Sequence, residues 1–425
     1  MPSLIRKILS EWPIKIGGKT LTTEQFLVPE DPPTSSTGRV ALLGILTLLA
    51  ITAAAILHVN QPEFILDRFI GITEFEYSLF DTTLYLSYLI VGIITGLLSD
   101  RWAKRRVFVV FGATGSIIFY WLMTTTLSYP LLLLYRFIQG SFTVMAWQTF
   151  MTLAIDFSDS SNRGRNMGIF GAFLAVAMGL GPALGGIIAS FGVFIPYYTA
   201  AALNVVVFLV GLIALRDPKI TKVRPTLKES LLLARKNPEL VVPGLFNLFD
   251  RLHIGFILTA LPFFLSELLG LDESLRGMAL AIFATPFIIL QYPMGRLSDK
   301  HGRFRQLVVG SIGYGIVMSV VGFVGIIGFS ILLLMLAILG LFAGITSPPA
   351  MALVGDIVGQ EDSAMGMGFF NFLGNLGITI GPIIFGILFP IMGMANAFIL
   401  VGLLELFTLT INIALVRTVF VGRIR

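Results

Sequence analysis

Residues 96–106 read GLLSDRWAKRR, an apolar run that ends abruptly in Asp100 and then carries four basic residues within six positions. The pattern returns at residues 295–305 as GRLSDKHGRFR, with Asp299 lying 199 positions after Asp100. A second pair of stretches runs from Asp156 to Gly186 and from Asp356 to Gly386, offset by 200 positions. In that pair Asp, Met-Gly, Phe and Gly-Pro fall in step, so the chain is a tandem duplication.

Composition names the solvent. With 56% hydrophobic and 12% charged residues and a mean hydropathy of +0.90, there is too little polar surface to cover a water-soluble body. Apolar runs of about 20 residues, enough to cross a hydrocarbon core of roughly 30 Å, recur through the chain. They fall near 40–59, 77–99, 106–126, 130–154, 166–190 and 194–215, then near 240–266, 274–297, 306–325, 329–353, 366–390 and 394–417. The expectation is an all-α membrane protein of twelve transmembrane helices in two pseudo-symmetric six-helix bundles. The bundles share one orientation and are related by an axis along the membrane normal.

The expected boundaries are a tail at 1–38, a first bundle at 39–215, a linker at 216–239, a second bundle at 240–417 and a tail at 418–425. Between Arg216 and Glu239 lie seven Lys or Arg against three acids. With Arg101–Arg106 and Lys300–Arg305, this basic loop places the linker and both termini in the cytoplasm of a plasma-membrane protein. The opposite loops are short or acidic, as in Glu63, Asp67, Glu74, Glu76, Glu267, Asp272 and Glu273. Within the linker, Thr226 and Glu229 have capping-box spacing before a short surface helix. In the first tail, Leu4, Ile5, Ile8, Leu9 and Trp12 with Arg6 and Lys7 suit either a short amphipathic helix on the membrane face or disorder.

Several classes are disfavoured. The basic charge belongs to short loops between apolar spans, a topological signal rather than a nucleic-acid surface. There is no cysteine, hence no disulfide or thiolate metal site. Gly18-Lys19-Thr20 imitates the end of a phosphate-binding loop, but Pro13 stands where its first Gly belongs. The three histidines, His58, His253 and His301, have no metal-ligand spacing. The chain is therefore expected to be no enzyme, to need no cofactor, and to work as a monomer in a lipid bilayer.

Span number, linker, duplication and loop signature together resemble the major facilitator superfamily of secondary transporters, over nearly the whole chain beyond the first tail. Gly96, Asp100 and Arg101, and again Gly295, Asp299, Lys300 and Arg303, match its loop signature between helices 2 and 3 and between 8 and 9. The first copy departs from it at Ala103, where the second keeps Gly302. A carboxylate at a helix C-terminus is disfavoured by the macrodipole and must be compensated. The resemblance implies partners in the opposite half that lock the outward-open state and release when the halves move. Asp156 is the candidate partner of Arg101.

Within the fourth span, Arg136, Gln139 and Gly140 resemble the helix-4 motif of the family's proton-coupled drug antiporters, where the Arg is linked to proton transfer. A cation at that depth must face a cavity or a partner. The equivalent residue of the second half is Leu336, so symmetry does not require the charge. Gly181, Pro182, Gly185 and Gly186 resemble the antiporters' helix-5 motif, which tilts the reading toward export.

The seventh span carries Asn247, Asp250, Arg251 and His253, with Asp250 about 15 Å inside the helix. Either Asp250 is the protonatable carboxylate of a transport cycle, with Arg251 and Arg136 setting its proton affinity, or Asp250 and Arg251 are a fixed ion pair. Trp147, Gln148, Asn371 and Asn375 are further candidates for a substrate cavity, and Glu405 for a second proton site. Asp81 and His58 read as wetted residues at the outer ends of their spans.

The functional expectation is a secondary active transporter, coupled to protons, exporting a drug-like or amphipathic small molecule by alternating access. Its alternatives are a proton symporter importing a sugar, organic acid or other metabolite, and a membrane sensor without flux.

Overall fold

The computed structural model of the chain describes residues 15–16, 19–20, 35–102, 104–158, 162–217, 225–420 and 422, with backbone alone at 15–16, 19–20, 35–36, 100, 163 and 360. The amphipathic stretch near Leu4–Trp12, Gly18, Ala103 and the Asp100 side chain lie outside the described residues. A two-residue ladder pairs β1 (Lys15–Ile16) with β2 (Lys19–Thr20). Among the described residues every later element is a helix.

The first half contains α1 (Ser35–Ala55), the short α2 (Gln61–Leu66), α3 (Glu74–Trp102), α4 (Arg105–Thr125), α5 (Tyr129–Asp156), α6 (Arg163–Ala189) and α7 (Ile195–Ala214). After the surface helix α8 (Leu227–Lys236) come α9 (Val241–Phe263), α10 (Glu273–His301), α11 (Arg303–Ile327) and the 90-residue α12 (Phe329–Thr418). By length and composition, ten helical segments among the described residues can cross a membrane. The 28-residue α5, with its buried Arg136, is not among them. The last of the ten, Glu361–Thr418, is broken at Gly393, whose φ of +75° is left-handed backbone. Counting α5 and dividing at Gly393 gives the expected twelve; hydropathy and length alone give ten.

Local chemistry sets the ends. Thr73 and Glu76 cap α3 reciprocally: Glu76 N donates to Thr73 Oγ1 (3.2 Å) and Thr73 N to Glu76 Oε2 (2.9 Å). The Thr226–Glu229 box read in the linker is formed at α8, and its hydrogen bonds hold the Glu229 carboxyl below the usual range. Asp272 Oδ1 accepts from Leu275 N at 2.9 Å to start α10, and Gly302, at φ +94°, ends it.

In the first half α1 packs on α6, α3 and α4 on α5, and α4 on α7; in the second, α9, α10 and α11 all pack on segments of α12. Large apolar residues such as Ile213, Ile289 and Phe407 remain on the outer surface, as suits a lipid solvent. The buried apolar residues form three clusters. One is shared by both halves at the end far from the linker and includes Ile56, Tyr77, Tyr197, Phe256, Leu280 and Phe385. The other two belong to one half each, around Leu43, Val109 and Phe150 and around Leu240, Leu307 and Leu353. The halves therefore meet at the far end and part at the linker end.

Close approach of α9 and α12 depends on Gly377. A Cβ there would stand 2.0 Å from the Leu248 carbonyl oxygen, which is backbone and cannot swing aside. Gly377→Val is expected to cost about 1–3 kcal/mol or more through overpacking. A lowered thermal unfolding midpoint of the detergent-solubilised protein checks it, and an unchanged midpoint would refute this packing account.

Candidate functional site

Two turns inside α3, about 10 Å from its start, stands Asp81. It was expected to be wet, yet its side chain is 0% exposed and His58, in the turn after α1, is nearly as buried. The far ends of these helices are covered by the other half, which keeps both side chains from water. Thr259 of α9 donates to Asp81 Oδ2 at 2.8 Å, a hydrogen bond across the halves. Asp81 Oδ1 lies 3.4 Å from His58 Nδ1 and 3.9 Å from Arg136 Nη2, and neither approach makes a hydrogen bond.

Arg136 is as deeply buried as a cation in this position must be. Its guanidinium lies 4.5 Å over the Phe80 ring, and Nη1 donates to Gln139 Oε1 at 3.0 Å. Gln139 donates to Thr143 Oγ1 at 2.6 Å, and Thr143 is 3.1 Å from Ser116 of α4. Helical spacing of three and four residues makes that relay local. Among the described residues the carboxylate beside Arg136 is Asp81, while Asp250, whose proton affinity Arg136 was expected to help set, has Arg251 beside it.

Asp250 belongs to a separate cluster nearer the linker end. Arg251 Nε is 4.0 Å from Asp250 Oδ2, and Asp250 lines a small cleft with Phe246, Asn247, Thr346, Ser347 and Ala350. Asn247 donates to the Phe370 carbonyl at 2.7 Å, fixing α9 to α12. Behind it, His253 Nδ1 is 3.6 Å from Glu405 Oε2 and Nε2 is 3.1 Å from the Val401 carbonyl. Trp147 Nε1 and Gln148 Oε1 are buried without a hydrogen bond, whereas Asn371 and Asn375 are exposed one turn apart. Among the described residues no three His, Asp or Glu converge as for a metal ion.

The loop signature pairs within each half. Arg105 Nε donates to Asp156 Oδ2 at 3.2 Å and Nη1 to Ser99 Oγ at 2.6 Å. In the second half Arg303 Nε donates to Asp356 Oδ2 at 2.9 Å and Nη1 to Ser298 Oγ at 2.7 Å, with Asp299 Oδ1 also 2.5 Å from Arg303. Asp156 thus takes Arg105, while Arg101 and Lys300 are exposed. The described partners of the signature are not in the opposite half, because at this end the halves have separated. Gly96 and Gly295 meet no close neighbour across the gap.

At the far end the halves are tied by charge. Arg276, at the start of α10, forks onto Glu63 of α2: Nη1 donates to Oε2 at 2.9 Å and Nη2 to Oε1. Glu273 lies 3.7 Å from the same Nη2. Around this pair the helix-5 motif closes the backbone gap. A Cβ on Gly181 or Gly185 would strike Ala55 or Ile56 beside α1, and one on Gly186 would stand 2.4 Å from the Glu273 carbonyl oxygen of the other half. Pro182 offers its carbonyl to the opposite Gly277, 2.6 Å from where a Cβ would be. The second copy repeats the device, with Gly386 against Phe75 and Ser78 of α3.

Comparison with known proteins agrees with this architecture. The sequence model described as Major Facilitator Superfamily matches residues 43–257 and 244–421. The chain is 27% identical over 315 residues to the class G tetracycline resistance protein of Vibrio anguillarum, covering 72% of this chain and 78% of that protein. It is 23% identical to the quinolone resistance protein NorA of Staphylococcus aureus, covering 78% and 86%. An uncharacterised MFS-type transporter of Methanocaldococcus jannaschii is 24% identical over 77% of this chain and 86% of its own length. Among solved structures, the nucleoside transporter NupG superposes with a TM-score of 0.75 at 12% identity, covering 89% of this chain and 99% of that one. A bacterial homologue of the lysosomal transporter Spinster, inward-facing, superposes at 0.71 and 15% identity, covering 90% and 96%.

Proposed function

Because the chain belongs to the Major Facilitator Superfamily, and is thus a multi-pass membrane transporter of small molecules rather than an enzyme, we propose that it exports a drug-like or amphipathic compound by alternating access, in exchange for protons. The observation that carries this reading is the buried charge cluster of Asp81, His58 and Arg136 at the contact between the halves. Membrane-embedded charges are costly and persist where they work. The relatives named for tetracycline and quinolone resistance support export.

Asp250 is the proposed exchange site. It lines the cleft near the linker end, where the halves part, and a proton and a cationic substrate compete for one carboxylate there. Arg251 restrains it, and Asn247, Gln139, Trp147, Gln148, Asn371 and Asn375 are the proposed polar lining. In this scheme the linker and termini are cytoplasmic and the membrane is the plasma membrane, so substrate loads from inside.

The test is internal pH in proteoliposomes challenged with lipophilic cations, sugars and organic acids. Proton movement opposite to a cation, lost in Asp250→Asn with folded protein retained, is the expected result. Full coupling in that variant returns Asp250 and Arg251 to a structural ion pair. Flux in the wild type without proton movement removes the proton mechanism, and movement in the same direction makes it a symporter.

A further inference from the structure

Thr259 is the residue that the export scheme leaves without a task, although its hydroxyl donates to a carboxylate of the other half. Its hydroxyl already reaches the Gly255 carbonyl of its own helix (3.2 Å), yet it lies closer to Asp81 Oδ2 of the other half, at 2.8 Å. Of the hydrogen bonds described between the halves, the rest gather on Glu63 at the outer rim. The Asp81 bond is the one made in the interior, and its acceptor is a titratable group.

We propose that the Asp81–Thr259 hydrogen bond is a proton-sensitive latch: ionised Asp81 holds the far ends of the halves together through Thr259, and protonation of Asp81 releases them. The inference rests on the proton-coupled reading and adds where the proton acts on conformation. Four observations carry it. The bond joins α3 to α9, one helix from each half. Both side chains are buried away from bulk solvent. The second oxygen, Oδ1, is buried without a hydrogen bond and faces His58 Nδ1 at 3.4 Å, a longer and looser contact than the Thr259 bond. The donor is a hydroxyl with no charge of its own, so the strength of the bond follows the charge of Asp81.

A hydrogen bond to an ionised acceptor is roughly twice as strong as a neutral one, so loss of the charge weakens the latch without removing any atom. By thermodynamic reciprocity, an opening that pulls Thr259 away must alter proton binding at Asp81 by the same factor. The groups facing Asp81 are His58 from the turn after α1 and Arg136 from α5. Tyr77 and Tyr85 of α3, Tyr129 of α5 and Tyr197 of α7 also interact with it electrostatically. His58 is a second group that can take up a proton, so the test must separate it from Asp81.

The chain contains no cysteine, which makes a single reporter clean. Ser78 is buried on α3 against Gly386 of the other half, so Ser78→Cys changes one atom and becomes accessible only when the far end opens. Labelling by a membrane-impermeant maleimide applied to that side, without substrate, is followed at pH 5.5 and pH 8 and normalised to denatured protein. The reporter chain is expected to label faster at pH 5.5. Adding Thr259→Val should raise labelling at pH 8 by about tenfold and flatten the pH dependence, while Thr259→Ser should restore it.

Thr259→Val that labels like its parent at both pH values overturns the latch. So does a pH dependence that disappears in His58→Gln yet persists in Thr259→Val, since the titrating group is then His58. The assay needs no transport, so it fails independently of the export reading. An intact latch beside substrate flux without protons rejects coupling alone, and proton-driven export with a pH-insensitive reporter rejects the latch alone.

Discussion

Arg136→Gln is expected to destabilise the protein by about 3–5 kcal/mol, the usual cost of removing one member of a buried charge pair, and to abolish substrate-driven proton movement. Asp81 is 0% exposed. Without the guanidinium 3.9 Å away, its charge would be left to His58 and a single hydroxyl. Both consequences can be separated. Asp81→Asn combined with Arg136→Gln removes charge from both sides and should recover most of the lost stability, yet remain uncoupled. Thermal unfolding of the solubilised variants reads the first effect and internal pH of proteoliposomes the second. A double variant as unstable as Arg136→Gln would show that the arginine acts through packing on Phe80 and hydrogen bonding to Gln139 rather than through Asp81.

Arg276→Glu should hold the far end open. It places a third carboxylate between Glu63 and Glu273, where the native guanidinium binds the first in a fork and stands 3.7 Å from the second. Like charges brought together at an interface cost several kcal/mol, more than a few hydrogen bonds between the halves return. The Ser78→Cys reporter should then label at least tenfold faster at every pH, and export should fall to background because the cycle cannot close on that side. Exchanging the pair, as Glu63→Arg with Arg276→Glu, should restore slow labelling. If the exchanged chain stays open while both single variants do too, position rather than charge holds the rim.

Much of this architecture is written in the chain, and the reasons some of it is not are specific. The Thr226–Glu229 cap was legible because it is local, and the family because the duplication sets the same loop signature at two homologous places. Arg136 was legible as a buried cation because depth along a helix can be counted. Its partner was not. Asp81 lies near a helix end, and counting says how far a residue is from that end, never whether another half of the molecule covers it. Thr259 carried no signal at all, since a threonine in an apolar span commonly bonds its own helix. The Arg105–Asp156 pair was missed for a different reason. Six positions separate Ser99 from Arg105 but five separate Ser298 from Arg303, so the turn of the first copy is one residue longer. Without that insertion the repeats align Lys104, not Arg105, with Arg303, so the equivalence of Arg105 and Arg303 was hidden.

The distribution of buried apolar residues has a mechanical consequence. One cluster spans both halves at the far end, and each half keeps a cluster of its own at the linker end. A body joined at one end and pinned within each arm at the other behaves as a pair of levers on a common fulcrum. Across a hydrocarbon core of roughly 30 Å, a tilt of about 10° displaces the free tips by about 5 Å, the width of a small aromatic ring, while the far tips barely shift for as long as they stay joined. Side chains at the fulcrum therefore need only sub-ångström precision to decide the state of a passage many times wider, which is where Asp81 and Thr259 meet.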